Sequence, residues 1–261
     1  MNRHGRLLGQ FMANSVQQDL EYRTSFVINM VNSLIGLGAT AIILYAMFER
    51  SDTVGGWDFN AVIVLLGVFA IADAVTGLVF RPSLHKVAEY IEQGSMDYML
   101  LKPVNLQFTV SLRAWSIWHV PNLLIGFALV VYGMAEAGTL TWDHAIMALI
   151  ALGAGLITLY ALWAIVTVSA FWFVRISNAQ MILYALMGAS RFPVTIYPTW
   201  LRLMFTFVLP IAFITNVPAE AAVRHATWAL VGGSVAVAMI SFALSVAAWR
   251  IAVRYYTSAS S

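Results

Sequence analysis

Cysteine is missing from the 261 residues, and only 10% of them are charged. Without thiols there is no disulfide and no thiolate metal site. Lysine occurs only at Lys86 and Lys102, which excludes a buried Schiff-base lysine. The net charge is +2, too little to argue for a nucleic-acid partner. The phosphate loop Gly-x-x-x-x-Gly-Lys-Ser/Thr is absent, so ATP is not expected to bind this chain in that way. His-Glu-x-x-His and Gly-x-Ser-x-Gly are absent as well. His4, His85, His119, His144 and His225 are scattered without ligand spacing, and Ser177 and Ser190 have no base near them. An enzyme working inside a membrane needs paired acids, or a nucleophile and a base, at span depth. Asp73 is the only acid deep in an apolar run, so neither intramembrane catalysis nor a relay of acids is expected.

What the chain has in abundance is apolar surface. It is 61% hydrophobic, with a mean hydropathy of +0.81. That composition belongs to an integral membrane protein. The length is used up by about six spans of roughly 20 residues and short connections, leaving no room for a separate soluble core. The sequence therefore predicts an all-α integral membrane protein, a single transmembrane domain over residues 1–261. Residues 1–25 read as an amphipathic interfacial helix, with Leu7, Leu8, Phe11, Met12 and Val16 opposite Arg3, Arg6, Gln10, Asn14 and Gln17.

Spans are expected over Phe26–Phe48, Asn60–Phe80, Phe108–Tyr132, His144–Phe173 and Trp228–Trp249. A shorter fifth span is expected over Ser177–Ser190. Asn29 and Asn32 share a face of the first span, and Gly36 and Gly38 permit close helix approach there. Asp73 has two readings. It is a functional intramembrane carboxylate, or a protonated or hydrogen-bonded residue at a helix–helix contact. Residues 191–225 are too proline-broken for a regular span and read as short re-entrant helices before the sixth. Arg191, Arg202 and Arg224 there suit lipid headgroups or a vestibule.

The most charged stretch is Arg81–Pro103, between the second and third spans. Leu84, Val87, Ala88 and Ile91 form one apolar helical stripe, with His85, Lys86, Glu89 and Glu92 off it. Gly94 is a helix stop, and Ser95 is placed to cap a second short helix that Pro103 ends. The segment reads either as a docking element or as a solvated loop packed on its own bundle. With the amino terminus inside, Arg3, Arg6, Arg23, Arg81, Lys86, Lys102, Arg113, Arg175, Arg250 and Arg254 are cytoplasmic. Only Arg50, Arg191, Arg202 and Arg224 are then outside, a bias that puts both termini in the cytoplasm. If Leu203–Ile214 is the true fifth span, Arg191 and Arg202 move inward and the termini stay.

Two stretches carry a family resemblance. Gly94-Ser95-Met96-Asp97-Tyr98-Met99-Leu100-Leu101-Lys102-Pro103 is similar to a Gly-x-x-Asp-x-x-Leu-x-(Lys/Arg)-Pro signature. Tyr197-Pro198-Thr199-Trp200-Leu201-Arg202, the run Phe207–Phe213 around Pro210, and Val217-Pro218-Ala219 supply the second. Together with the span pattern they resemble the permease subunit of type-2 ABC exporters, in a bacterial six-span branch. The resemblance implies a half-transporter in the bacterial inner membrane, exporting an amphiphilic, lipid-linked or drug-like substrate. It implies a coupling helix contacting a separate ABC ATPase subunit, which maps onto Leu84, Val87, Ala88, Ile91, Glu92, Gly94, Asp97, Leu100, Lys102 and Pro103. It implies a path near Asn29, Asn32 and Asp73, and an outer gate around Pro193, Tyr197, Pro198, Trp200, Pro210 and Pro218. ATP and Mg would sit on the ATPase, with no cofactor on this chain. A second permease chain, the same or a related one, would complete the path among membrane lipids. The competing reading is a non-transporting membrane scaffold, for which the charged segment is only a loop.

Overall fold

The computed structural model describes residues 11, 12, 15, 23–101, 105–172, 176–224 and 226–256. The expected interfacial helix over residues 1–25 lies mostly outside them, as do Lys102 and Pro103. The chain is helical, and among the described residues there is no strand beyond a single bridge between Val54 and Trp57. Helix α1 spans Arg23–Phe48 and α2 spans Phe59–Val75. A π-helical turn over Thr76–Phe80 carries α2 into α3, Arg81–Leu84. Two short helices follow, α4 over Lys86–Glu92 and α5 over Met96–Leu100. Then come α6 over Leu106–Ser111, α7 over Val120–Glu136 and α8 over Trp142–Val168. Helix α9 covers Ile176–Gly188. The stretch after it holds α10 (Thr199–Leu203), a π turn (Met204–Val208), α11 (Ile211–Ile214) and α12 (Asn216–Val223). Helix α13, Trp228–Tyr255, ends the described chain apart from Tyr256.

Among the described residues, four helical stretches are long and apolar enough to cross a membrane: Phe59–Glu92, Ile117–Glu136, Trp142–Phe171 and Trp228–Tyr255. Helix α1, with 26 residues, rises about 39 Å, beyond a hydrocarbon core of about 30 Å. Helix α9, with 13, rises only about 20 Å.

Helix α2 is the centre of the bundle. It is apolar on all sides, which suits burial on all sides, and Val62, Val64, Leu65 and Ile71 are almost fully enclosed. Between lipid-embedded helices the hydrophobic effect offers little, so close packing must hold them together. Glycines supply it where α2 crosses α7. A Cβ on Gly67 would lie 2.8 Å from the carbonyl oxygen of Gly126, and one on Gly133 would lie 2.6 Å from Val64 Cγ2. Helices α8 and α13 form the second long pair, joined where Trp249 Nε1 donates to the Ala164 carbonyl (3.2 Å).

Several expectations need correction. The third span does not begin at Phe108. Residues 106–111 form the separate helix α6, the chain breaks at Leu112–Ser116, and the long helix starts beyond it. The break is held by α3 and the π-helical turn before it. Ser83 Oγ accepts from Ala114 N and donates to Ala114 O, while Ser116 N donates to Leu78 O. Pro121 accordingly sits in the first turn of α7, where a missing N–H costs nothing, rather than inside a helix. The second span does not stop at Phe80, because helix continues from Phe59 to Glu92. Among the described residues nothing lies within 4 Å of a Cβ at Gly36 or Gly38, so they bring no described helix close. Ser95 occupies the position before α5, but its hydroxyl donates to Tyr90 O instead of capping.

Candidate functional site

The charged segment is built from the end of a membrane helix. Phe59–Glu92 is one helical stretch of 34 residues, about 51 Å long, so its far end stands outside a core of about 30 Å. At Gly94 the backbone takes a φ of +67°, which glycine adopts without strain, and the chain folds back into α5. Leu84 and Val87 are fully enclosed, Ala88 and Ile91 partly so, and Met96 and Met99 are buried beside them. Val87, Met96 and Met99 pack with Val110, Ala164, Val168 and Trp249, which belong to α6, α8 and α13. The sequence-predicted stripe therefore exists and faces the chain's own bundle. What the segment presents outward is different: Lys86, Glu89, Glu92 and Gln93 on α4 and its end, and Tyr98, Leu100 and Leu101 on α5. Tyr98 is 74% exposed and Leu101 82%, an apolar edge on a charged element.

Polar contacts fix how this end meets the spans. His85, at the junction of α3 and α4, donates from Nδ1 to Gln180 Oε1 at 2.9 Å. Gln180 Nε2 in turn donates to Thr167 Oγ1 (3.1 Å) and the Leu84 carbonyl (3.4 Å). Because the amide nitrogen is committed to those acceptors, its oxygen must accept, and the His85 nitrogen must carry a proton. One buried glutamine thus ties the α3–α4 junction to α8 and α9. Arg113, in the break before α7, lies over the Tyr90 ring at 5.1 Å and meets Met99 Sδ at 3.4 Å. Tyr256 lies beside the segment. Burial, and then the nearby Asp97 carboxylate, push its hydroxyl above the ordinary value of 10.0.

Asp73 is half-buried, two-thirds of the way along the helix from Phe59 to Phe80. Tyr184 of α9 donates its hydroxyl to Asp73 Oδ1 at 3.1 Å. The Arg81 guanidinium lies over the same tyrosine ring at 5.2 Å. Asp73 therefore joins α2 to α9, and its carboxylate also reaches the surface. The backbone of Asn29 and Asn32 lies in α1, which is as much of those two residues as is described.

At the opposite end, residues 189–224 are fastened by side chains. Thr215 Oγ1 donates to the Ser190 carbonyl (3.1 Å), and Asn216 Oδ1 accepts from Val194 N (2.8 Å). Tyr197 donates to the Ala189 carbonyl at 2.8 Å, and its ring meets Phe205 edge-on. Burial raises the pKa of that hydroxyl. Thr195 and Arg224 reach across to the carbonyls of Gly55 and Gly56. Pro193, Pro210 and Pro218 are buried, Pro198 precedes α10, and Trp200 is 68% exposed. The turn at Phe213–Ile214 sits on α8. A Cβ on Gly155 would be 2.9 Å from each of their carbonyl oxygens, and Gly155 is 13 residues into that helix from Trp142.

Sequence reasoning singled out Asp73, Gly94 and the prolines, and missed Gln180, Ser83, Tyr184, Thr215 and Asn216. The signal for Gln180 was available, the amide nearest the middle of a short, mostly apolar run. No three His, Asp or Glu side chains among the described residues are placed to hold a metal ion.

Comparison with known proteins rests on a single match. A family model described as ABC-2 family transporter protein matches residues 34–260, nearly nine-tenths of the chain. No curated protein and no solved structure matches it. The match takes in the helix from Phe59 to Glu92, the α4–α5 segment and the fastened region 189–224. The chain belongs to the ABC-2 transporter family and is a multi-pass membrane permease of an ABC transporter.

Proposed function

We propose that this permease is one membrane half of a bacterial exporter whose ATP and Mg are held by a separate ABC ATPase, and that Arg81–Pro103 is the element the ATPase moves. The observation that carries the reading is helical continuity. One 34-residue stretch joins Asp73, within the bundle, to Glu92, beyond it, without an intervening loop. Displacement of α4 and α5 is transmitted along that helix. Gln180 couples the same motion to α9. Leu84, Val87, Met96 and Met99 root the segment, and Tyr98, Leu100 and Leu101, with Glu92 and Asp97 on the same segment, are the groups offered to the ATPase. For nucleotide to drive the change, the ATPase pair must bind one arrangement of the segments better than the other.

In this reading the amino terminus, the α4–α5 end and the carboxyl terminus are cytoplasmic, in the bacterial inner membrane. The six spans are α1, α2, α7, α8, α9 and α13. Helix α9 is too short to cross alone, and the fastened region 189–224 completes it from outside as a re-entrant cap and gate. A second permease chain, identical or related, faces α1, whose Ile35, Ile42 and Tyr45 are more than half exposed and whose Gly36 and Gly38 are open. Asp73 then borders the shared path with Asn29 and Asn32, a setting for a lipophilic cation or another amphiphile.

The test is ATP hydrolysis by the reconstituted permease–ATPase complex, with and without a lipophilic cation dye. Gly94→Pro, impossible at a φ of +67°, should leave insertion intact and abolish dye-dependent stimulation. Normal stimulation in that variant contradicts the coupling role. Asp73→Asn should remove the dye response while keeping basal hydrolysis. An unchanged response makes Asp73 a structural contact with Tyr184 alone.

A further inference from the structure

A continuous groove runs along the α8–α13 pair. Its middle chamber, about 860 Å³, lies between α6, α8 and α13 and is walled by Phe80, Ser111, Ile157, Tyr160 and Phe242. A second chamber of about 460 Å³ shares Ile157 and Phe242 and continues past Gly153 to Leu149 and Val235. A third, about 290 Å³, shares Asn105, Gln107 and Val246 with the middle one and ends at Arg250 and Arg254. The walls of the first two are almost wholly apolar. Phe80 belongs to the apolar cluster that also holds Leu183 and Met187 of α9, and Tyr160 packs against it with its ring 5.5 Å from that of Phe80, so the inner wall of the middle chamber backs onto that cluster.

Its polarity is graded in one direction. Near the α6 end stands a buried cluster: Gln107 Nε2 donates to Tyr160 (3.1 Å) and Ser245 (3.3 Å), and Tyr160 shares a bond with Ser111 (2.9 Å). Gln107 Oε1 has no partner among the described residues. Beyond the cluster, Arg250 and Arg254 are four apart on one face of α13. Both are exposed, and among the described residues neither has an acidic partner. From Arg250 to Val235 the helix rises about 23 Å, longer than one leaflet of a core about 30 Å thick. A positive end, a short polar step and a long apolar trough match the order of groups in one phospholipid.

We propose that this groove binds one anionic phospholipid from the leaflet on the Arg250 side. Its phosphate is taken by Arg250 and Arg254, its ester region lies beside Asn105 and Gln107, and one acyl chain follows the trough past Tyr160 and Phe242 toward Gly153. The site holds a resident lipid that braces α6 against the α8–α13 pair, distinct from whatever the path carries. It rests on the membrane-spanning arrangement and not on ATPase coupling, so its failure leaves the exporter reading standing.

Native mass spectrometry of the full chain in detergent, titrated with phosphatidylglycerol or phosphatidylcholine of the same acyl length, tests it. Wild type should keep one phosphatidylglycerol in preference to phosphatidylcholine. At about fivefold per arginine, Arg250→Gln with Arg254→Gln should erase a preference of about twenty-five-fold. Arg50→Gln, at the other end of the bundle, should not. Val246→Trp, which fills the junction of two chambers, should remove the bound lipid whatever its headgroup. Equal retention of both lipids by wild type overturns the proposal, as does undiminished preference in the double arginine variant. Loss of a chain dimer without loss of lipid in Val246→Trp overturns it too and assigns the groove to a second copy. Should Val246→Trp fail to fold, the arginine pair decides alone.

Discussion

The two ends of this bundle are closed in opposite ways. At the α4–α5 end the fastening is apolar: Leu84, Val87, Met96 and Met99 are sunk into the core, charges point outward, and one amide, Gln180, ties the junction to α8 and α9. At the other end the fastening is polar and repeated, with Tyr197, Asn216, Thr215, Thr195 and Arg224 all bonded to backbone of neighbouring segments. Apolar contacts are non-directional and survive small rotations of the group they hold. Hydrogen bonds to fixed carbonyls weaken steeply once their angle is lost. The first end is suited to move as a unit on the end of a long helix, and the second to stay in place while it does.

Substitutions can break that contrast. The largest effect is expected from Val87→Asp, which strands a charge in the anchor at a cost of about 4 kcal/mol or more. The variant should fail to accumulate as folded protein, judged by size-exclusion in detergent. Next is Gly155→Leu, which drives a side chain into the Phe213–Ile214 turn and should cost about 1–3 kcal/mol, read as a lower melting temperature. Thr215→Val removes the bond to Ser190 and the acceptor for Asn216, with a loss of about 1–3 kcal/mol in the same assay. Gln180→Leu should cost only about 1 kcal/mol but reduce ATPase stimulation out of proportion, because it cuts the polar tie from the α3–α4 junction to α8 and α9. Tyr98→Ala should shift melting by less than about 0.5 kcal/mol, as befits an exposed side chain.

Alkaline pH sharpens the comparison at its smallest scale. Tyr197 at one end and Tyr256 at the other both have pKa values raised above 10.0 in the folded chain. The folded state therefore holds those protons longer than the unfolded state. The stability this contributes is complete below pH 10 and is lost as pH climbs through the folded values. Tyr256→Phe and Tyr197→Phe should each flatten the loss of melting temperature above pH 10. For Tyr256 the added contribution of Asp97 should disappear in Asp97→Asn.

Much of this was legible in one sequence, and the failures share a cause. Gly94 announced a stop and takes the one conformation that requires glycine. The stripe Leu84–Val87–Ala88–Ile91 was readable from its spacing, because helical period survives whatever the helix packs against. Which way it faces was not readable, since an apolar stripe suits a partner's groove and its own bundle equally. The break at Leu112–Ser116 was hidden because it holds no glycine or proline to mark a stop, and Ala114 and Ser116 are bonded to Ser83 and Leu78, about thirty to forty residues earlier. His85 with Gln180 and Asp73 with Tyr184 join positions about a hundred residues apart. No local pattern encodes such pairs; they exist only once α9 packs against α2 and α8.

The central claim, that the α4–α5 end is the surface an ATPase grips, is tested most directly by photo-crosslinking in native membranes. A photoreactive residue would replace Leu101, Val87 or Trp200 in the full chain, and the products would be identified by mass spectrometry. The account predicts an ABC ATPase crosslinked from position 101, and none from the buried position 87 or from position 200 at the opposite end. An ATPase captured from position 200, or position 101 crosslinking only to lipid and to this chain, would contradict it.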